Sequence, residues 1–109
     1  MKIKREDVFW VSFDLSIGGE IKKKRPAVVV STDKANPHLN RVVVVPLSSK
    51  ISRIYPSETK ILFQAKEIKA MTDQIRTISK RRLISKIGNL PLEEMKKIED
   101  KIKLFLELT

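Results

Sequence analysis

The sequence predicts a mainly β domain with a C-terminal helix (α+β), built as a small curved antiparallel barrel. Three observations predict it. Period-two alternation and valine-rich runs fill the first two-thirds of the 109 residues. Turn residues separate those runs at short intervals. Apolar residues then recur at spacings of three and four only near the C-terminus.

The elements follow in order. Residues 8–14 (VFWVSFD) alternate, with Phe9, Val11 and Phe13 on one face and Val8, Trp10 and Ser12 on the other. Residues 15–24 break the pattern with Gly18 and Gly19 and read as a loop. Residues 26–32 (PAVVVST) form a second strand, with Pro26 tolerated at its first position. Residues 33–40 are a polar loop. Residues 41–47 (RVVVVPL) form a third strand, whose valines imply burial on both faces or a tightly curved wall. A loop over 48–58 leads to strands at 59–65 and 69–78, close enough for a hairpin. Ser79 is read as the N-cap of a short helix over 79–87, with Leu83 and Ile87 on one face and Gly88 as its stop. Pro91 opens a second helix over 91–108, with Glu93 and Glu94 in its first turn. Its stripe of Leu92, Met95, Ile98, Ile102 and Phe105 is assigned to the core. One domain spans 1–109, its barrel over about 1–78.

Composition excludes several function classes. There is no Cys, so neither a disulfide framework nor a thiolate metal site is available. His38 is the single histidine, so no two-histidine acid–base pair exists within one chain. No apolar stretch approaches the roughly 20 residues that span a bilayer, and no apolar segment backs the basic start MKIKRED. The expectation is a cytoplasmic protein without a membrane or cofactor. The formal charge is +10 and is unevenly placed. Residues 1–90 hold nineteen bases against eight acids, or +11, whereas 91–109 hold four against five. A basic body suggests a polyanionic partner. A lysine-rich surface kept for solubility explains the charge equally well.

Three segments bear on chemistry. Lys22, Lys23, Lys24 and Arg25 stand between a glycine-containing loop and a valine strand. For the lysines a solvated charge run competes evenly with function. Arg25 precedes Pro26, so its backbone is held, and a held guanidinium clamps phosphate oxygens and stabilises charge on a phosphorane. Ser48 and Ser49 follow the third strand. By spacing alone they are turn residues, and no GxSxG elbow surrounds them. In TDQIRTISKRRL (72–83), Asp73 is read inside a strand, where an ion pair with Arg76, Arg81 or Arg82 would offset its cost.

Taken together, DVFWVSFDLSIGGE, KRPAVVVS, VVVVPLSS and TDQIRTISKRRL, in this order and spacing, resemble the MazF/PemK/Kid toxins of type II toxin–antitoxin systems. The resemblance implies an SH3-like, CcdB-like barrel and metal-independent cleavage of single-stranded RNA (mRNA interferase activity). It implies a homodimer neutralised by a cognate antitoxin with an acidic disordered segment. Arg25 falls on the family's catalytic arginine and Ser48 on its catalytic threonine. The implied reaction is attack of a ribose 2′-OH on its own 3′-phosphate, leaving 2′,3′-cyclic phosphate and 5′-OH ends. Arg25 would stabilise the developing charge; Ser48, too weak an acid to be a ready base, would position the phosphate or hydroxyl. Gly19, Glu20, Lys22, Lys24, Ser49, Asp73 and Gln74 would contact the RNA. The sequence also departs from the family. Ser48 replaces threonine, Ile21 and Lys23 replace the usual glutamine and glycine before the arginine, Met71 replaces an arginine of the Kid branch, and Glu6 stands where glycine is usual. Two rival readings share the fold: a CcdB-like, non-enzymatic gyrase-binding toxin, and a degenerate member that only binds nucleic acid.

Overall fold

The structure, a computed structural model, describes residues 2–13 and 24–108. Among the described residues, seven strands and one α-helix form in chain order: β1 (Asp7–Ser12), β2 (Lys24–Val29), β3 (Arg41–Ser48), β4 (Thr59–Phe63), β5 (Lys66–Ala70), β6 (Arg76–Ser79), β7 (Leu83–Asn89) and α1 (Leu92–Phe105). All pairings are antiparallel. The sheet order is β4-β5-β3-β2-β1-β7, with β6 on β3.

Strand alternation sorts the apolar residues into two cores. Phe9, Val11, Ala27, Val29, Val42 and Val44 pack with Ile78 and Leu83 on one face of the sheet. Val8, Val28, Val45, Leu47, Ile61 and Ile68 pack on the other face beneath Met95 and Ile98 of α1. The valine run of β3 is thus buried on both faces, as its composition requires. On α1 the buried stripe is narrower than expected: Met95 and Ile98 are enclosed and Ile102 is half-buried, but Leu92 and Phe105 are exposed. Glu94, in the first turn, is itself buried; it accepts the Leu62 backbone N–H at 2.6 Å and pairs with Lys97 at 3.1 Å. The helix therefore satisfies a backbone donor of β4, which is an edge strand.

Two expected elements differ. The strand read over 69–78 is broken. Its first part belongs to β5, a 3-10 turn occupies Thr72–Gln74, and β6 resumes at Arg76. The cause lies in β3, which pairs β6 through Arg41–Val44 and β5 through Leu47 and Ser48. Pro46 sits at the switch. It has no N–H to give a neighbour on that side, and its carbonyl accepts from Met71 N–H at 2.9 Å. The helix read over 79–87 is likewise absent. Ser79 caps only a 3-10 turn at Lys80–Arg82, accepting from Arg81 N–H at 3.2 Å, and the chain then runs extended as β7. β1 needs a partner on its second side, and that tertiary demand outweighs the weak helical spacing of Leu83 and Ile87.

The curl closes where the β4–β5 hairpin meets β7. Gln64 and Ala65 form a two-residue turn with φ of 52° and 63°, the geometry whose twist suits a tight hairpin. Gln64 Nε2 donates to the Ile87 carbonyl at 3.2 Å. A Cβ at Gly88 would lie 3.3 Å from the Phe63 ring, so this close approach explains the glycine.

Candidate nucleic-acid site

The β2–β3 ladder pairs Val29 with Val44, Val28 with Val45 and Ala27 with Pro46. The paired residues of this ladder end there, and Arg25 and Ser48 lie two positions beyond Ala27 and Pro46 on their strands. Arg25 is half-buried, pinned by its pairing with Val11 on β1. Ser48 is buried, pairs with Lys69 on β5, and its Oγ accepts the Lys50 backbone N–H at 3.2 Å. This hydrogen bond fixes the hydroxyl at a strand end and leaves it free to donate.

Arg25 and Ser48 line one cavity of about 600 Å³, together with Lys24, Ser49 and Lys50. The volume is that of a small-molecule or nucleotide pocket. Among the described residues, the lining contains three cationic residues and no carboxylate. Among the described residues, none of these cations takes part in an ion pair. The rest of the lining is largely apolar: Trp10, Pro26, Leu47, Phe63, Ile68 and Ile87, with Gln64 between them. Cations and hydroxyls beside aromatic rings form the combination that holds single-stranded nucleic acid.

The other expected site residues separate into two groups. Gly19, Glu20 and Lys22 lie outside the described residues. Asp73 and Gln74 are described but do not line the cavity. Asp73 is exposed on the 3-10 turn rather than inside a strand, and no cation among the described residues pairs with it. Gln74 Nε2 lies 3.6 Å from Met71 Sδ, on the turn against which α1 packs. Sequence reasoning passed over Trp10, Lys50, Phe63 and Gln64. Trp10 carried a signal, being the one tryptophan and placed opposite Phe9 and Val11. Lys50 was legible as the cation directly after the serine pair. Gln64 and Phe63 had none, because the closure of the sheet alone brings their hairpin to β7.

Comparison with known proteins identifies the family. Residues 4–106 match the PemK-like, MazF-like toxins of type II toxin-antitoxin systems. The endoribonuclease MazF9 of Mycobacterium tuberculosis is 35% identical, covering 97% of this chain and 98% of its own. The endoribonuclease toxin MazF of Escherichia coli is 34% identical, covering 92% and 90%. A mycobacterial endoribonuclease solved in complex with its cognate antitoxin has a TM-score of 0.81 at 25% identity, covering 99% of this chain and 98% of that one. The MazE-MazF structure from Deinococcus radiodurans has a TM-score of 0.83 at 20% identity, covering 98% and 97%, a likeness of fold alone. With the family match spanning nearly the whole chain and the curled sheet shared, the protein belongs to the PemK-like, MazF-like family of type II toxin-antitoxin toxins.

Proposed function

We propose that the protein is a toxin endoribonuclease that cuts single-stranded RNA at the Arg25–Ser48 cavity. The observation that carries it is one pocket wall holding Lys24, Arg25 and Lys50 with two serine hydroxyls and, among the described residues, no carboxylate. Such a wall suits a phosphodiester and repels a divalent metal, so the proposed chemistry needs no metal.

The reaction is transesterification. The ribose 2′-oxygen attacks the adjacent phosphorus and loses its proton. The bond from phosphorus to the 5′-oxygen breaks, and that oxygen gains a proton. Arg25 neutralises the charge that grows on the phosphoryl oxygens. Ser48 donates its hydroxyl to a phosphate oxygen while Lys50 N–H holds its Oγ. Lys24 and Ser49 contact the flanking backbone. Gly19, Glu20 and Lys22 are assigned to RNA binding through the family motif, and Asp73 and Gln74 to RNA contacts beyond the cavity. The proposal extends to a homodimer and to neutralisation by an antitoxin whose acidic segment competes for the same cations, which accords with the antitoxin complex of the mycobacterial relative.

The test is incubation of the protein with a long RNA in EDTA, followed by mapping of both ends. Cleavage leaving 5′-OH and 2′,3′-cyclic phosphate ends is expected. A strict need for Mg²⁺ or Mn²⁺, or 5′-phosphate ends, refutes the chemistry. Intact RNA with stalled gyrase favours the CcdB-like reading instead.

A further inference from the structure

Among the described residues, nothing from the segment 72–83 lines the cavity. Two arginines of that segment nevertheless converge on the end of β1. Arg82, half-buried, donates from one guanidinium nitrogen to the Ser12 carbonyl at 3.1 Å and to the Phe13 carbonyl at 2.8 Å. It takes part in no ion pair among the described residues, so its charge is directed at these carbonyls. Arg76 places its guanidinium 5.4 Å from the centre of the Phe13 ring. Phe13 is buried with Val11, Ile78 and Leu83. This is where a strand pair runs out. The β1–β7 register slips between Trp10 and Val11, and its last pair is Val11 with Leu83. Ser12 and Phe13 lie beyond it, and the residue just before β7 gives their carbonyls a cation instead. Charge-assisted bonds of this length are the stronger kind. On its other side the same stretch of β1 carries the cavity: Val11 pairs with Arg25 and Ser12 with Lys24.

We propose that Arg82 is a positioning residue for Arg25, acting through β1 without touching RNA. The inference rests on the nuclease reading for its effect on rate, but not for the clamp itself. Arg82 holds the Ser12 and Phe13 carbonyls, these keep the end of β1 in register, and that register fixes the backbone of Lys24 and Arg25 where β2 begins. Pro26, opposite Trp10, adds no N–H to this ladder, so the two pairs beyond it lean on whatever holds β1. An arginine that must meet charge growing on a phosphoryl oxygen tolerates little displacement: an error near ~1 Å costs on the order of 10²-fold in rate. The lysines that meet the flanking backbone have flexible side chains and hold ground state and transition state alike. Loss of the clamp therefore falls on kcat.

Arg82→Ala should lower kcat for RNA roughly 10- to 10²-fold and change KM by less than about threefold. The deciding measurement is the cycle with Arg25→Ala. Once Arg25 is gone, Arg82→Ala should cost less than about twofold more, whereas a general structural role would cost as much as before. Arg82→Lys, whose one ammonium can replace the one nitrogen that makes both bonds, should fall between wild type and Arg82→Ala, and it carries the cycle if Arg82→Ala does not fold. Amide exchange of the whole protein gives a readout that needs no RNA. Arg82→Ala should speed exchange at residues 11–12 and 24–25 while the β3–β6 pairs keep their protection. Wild-type kcat in Arg82→Ala, a loss confined to KM, or an undiminished loss in the Arg25→Ala background overturns the proposal. The two readings fail separately. Locally faster exchange, in a protein whose wild type leaves RNA uncut, keeps the clamp and removes the nuclease. Cut RNA with exchange and kcat unmoved by Arg82→Ala does the reverse.

Discussion

Lys69→Met should destabilise the protein by about 3–5 kcal/mol, because it leaves a carboxylate buried without its counter-charge. The Lys69 ammonium lies 2.9 Å from Glu58 Oε1, and both side chains are more than nine-tenths buried. The same ammonium donates to the Arg53 carbonyl at 3.0 Å, and the same carboxylate oxygen accepts the Tyr55 N–H at 2.9 Å. Arg53 and Lys69 also flank the Tyr55 ring, at 4.9 and 5.7 Å from its centre. One pair thus ties down much of the loop between β3 and β4. After Lys69→Met, Glu58 keeps only a single backbone donor. A domain of this size has roughly 5–15 kcal/mol in total, so the loss is a large share. The double variant Lys69→Met/Glu58→Leu removes both charges and should recover most of it. The assay is urea unfolding of wild type, both single variants and the double at one protein concentration. Lys69 also pairs with Ser48, and the tethered loop begins with Ser49 and Lys50. The single variant should therefore raise KM for RNA more than it lowers kcat. A Lys69→Met protein within about 1 kcal/mol of wild type, or a double variant as unstable as the sum of the singles, would show that the pair does not hold the loop.

Three further predictions follow from single positions. Arg25→Ala should lower RNA cleavage by roughly 10²–10³ with folding intact, Ser48→Thr should stay active and Ser48→Ala should not; end-mapped cleavage rates decide, and near-wild-type turnover of folded Arg25→Ala would sink the mechanism. Glu6 has φ 81°, a conformation costly for a side chain, while its N–H and carbonyl bind Val29 and Leu90 at 2.9 Å. Glu6→Gly should stabilise by about 1 kcal/mol net of glycine's entropy, read as a higher urea midpoint; a lower midpoint contradicts it. The Leu62 backbone N–H, aided by Lys97, holds the Glu94 carboxyl below its ordinary 4.5. Its folded-state value is depressed, so its contribution is fully present above pH 4.5 and is lost below it, as pH falls through the lower folded-state value. Glu94→Gln should flatten this acid-side part of the stability curve, and two parallel curves would rule Glu94 out.

The order β1, β2, β3 and the C-terminal helix were legible because each rests on a local pattern. Phe9–Val11–Phe13, the valine runs and the Met95–Ile98–Ile102 spacing impose one period over enough residues to decide the element. Arg25 stood out because the following proline holds its backbone, whereas Ser48 read by spacing as a turn residue and was singled out only by the family resemblance. What lay beyond the sequence depended on pairing. Ile84 and Ile87 carry no strong period, and only the vacant side of β1 makes 83–89 a strand. The break at Thr72–Gln74 depends on β3 changing partners at Pro46, which a run of valines does not announce. Glu6 looks like an ordinary surface acid until the turn into β1 requires φ 81°. Trp10 and Gln64 are 54 positions apart in the chain, and they share a cavity because the sheet curls until the β4–β5 hairpin touches β7. Periodicity is a property of neighbouring residues and is written in the chain. Closure of a sheet is set by which edges remain unpaired, and that is settled only when every strand has taken its place.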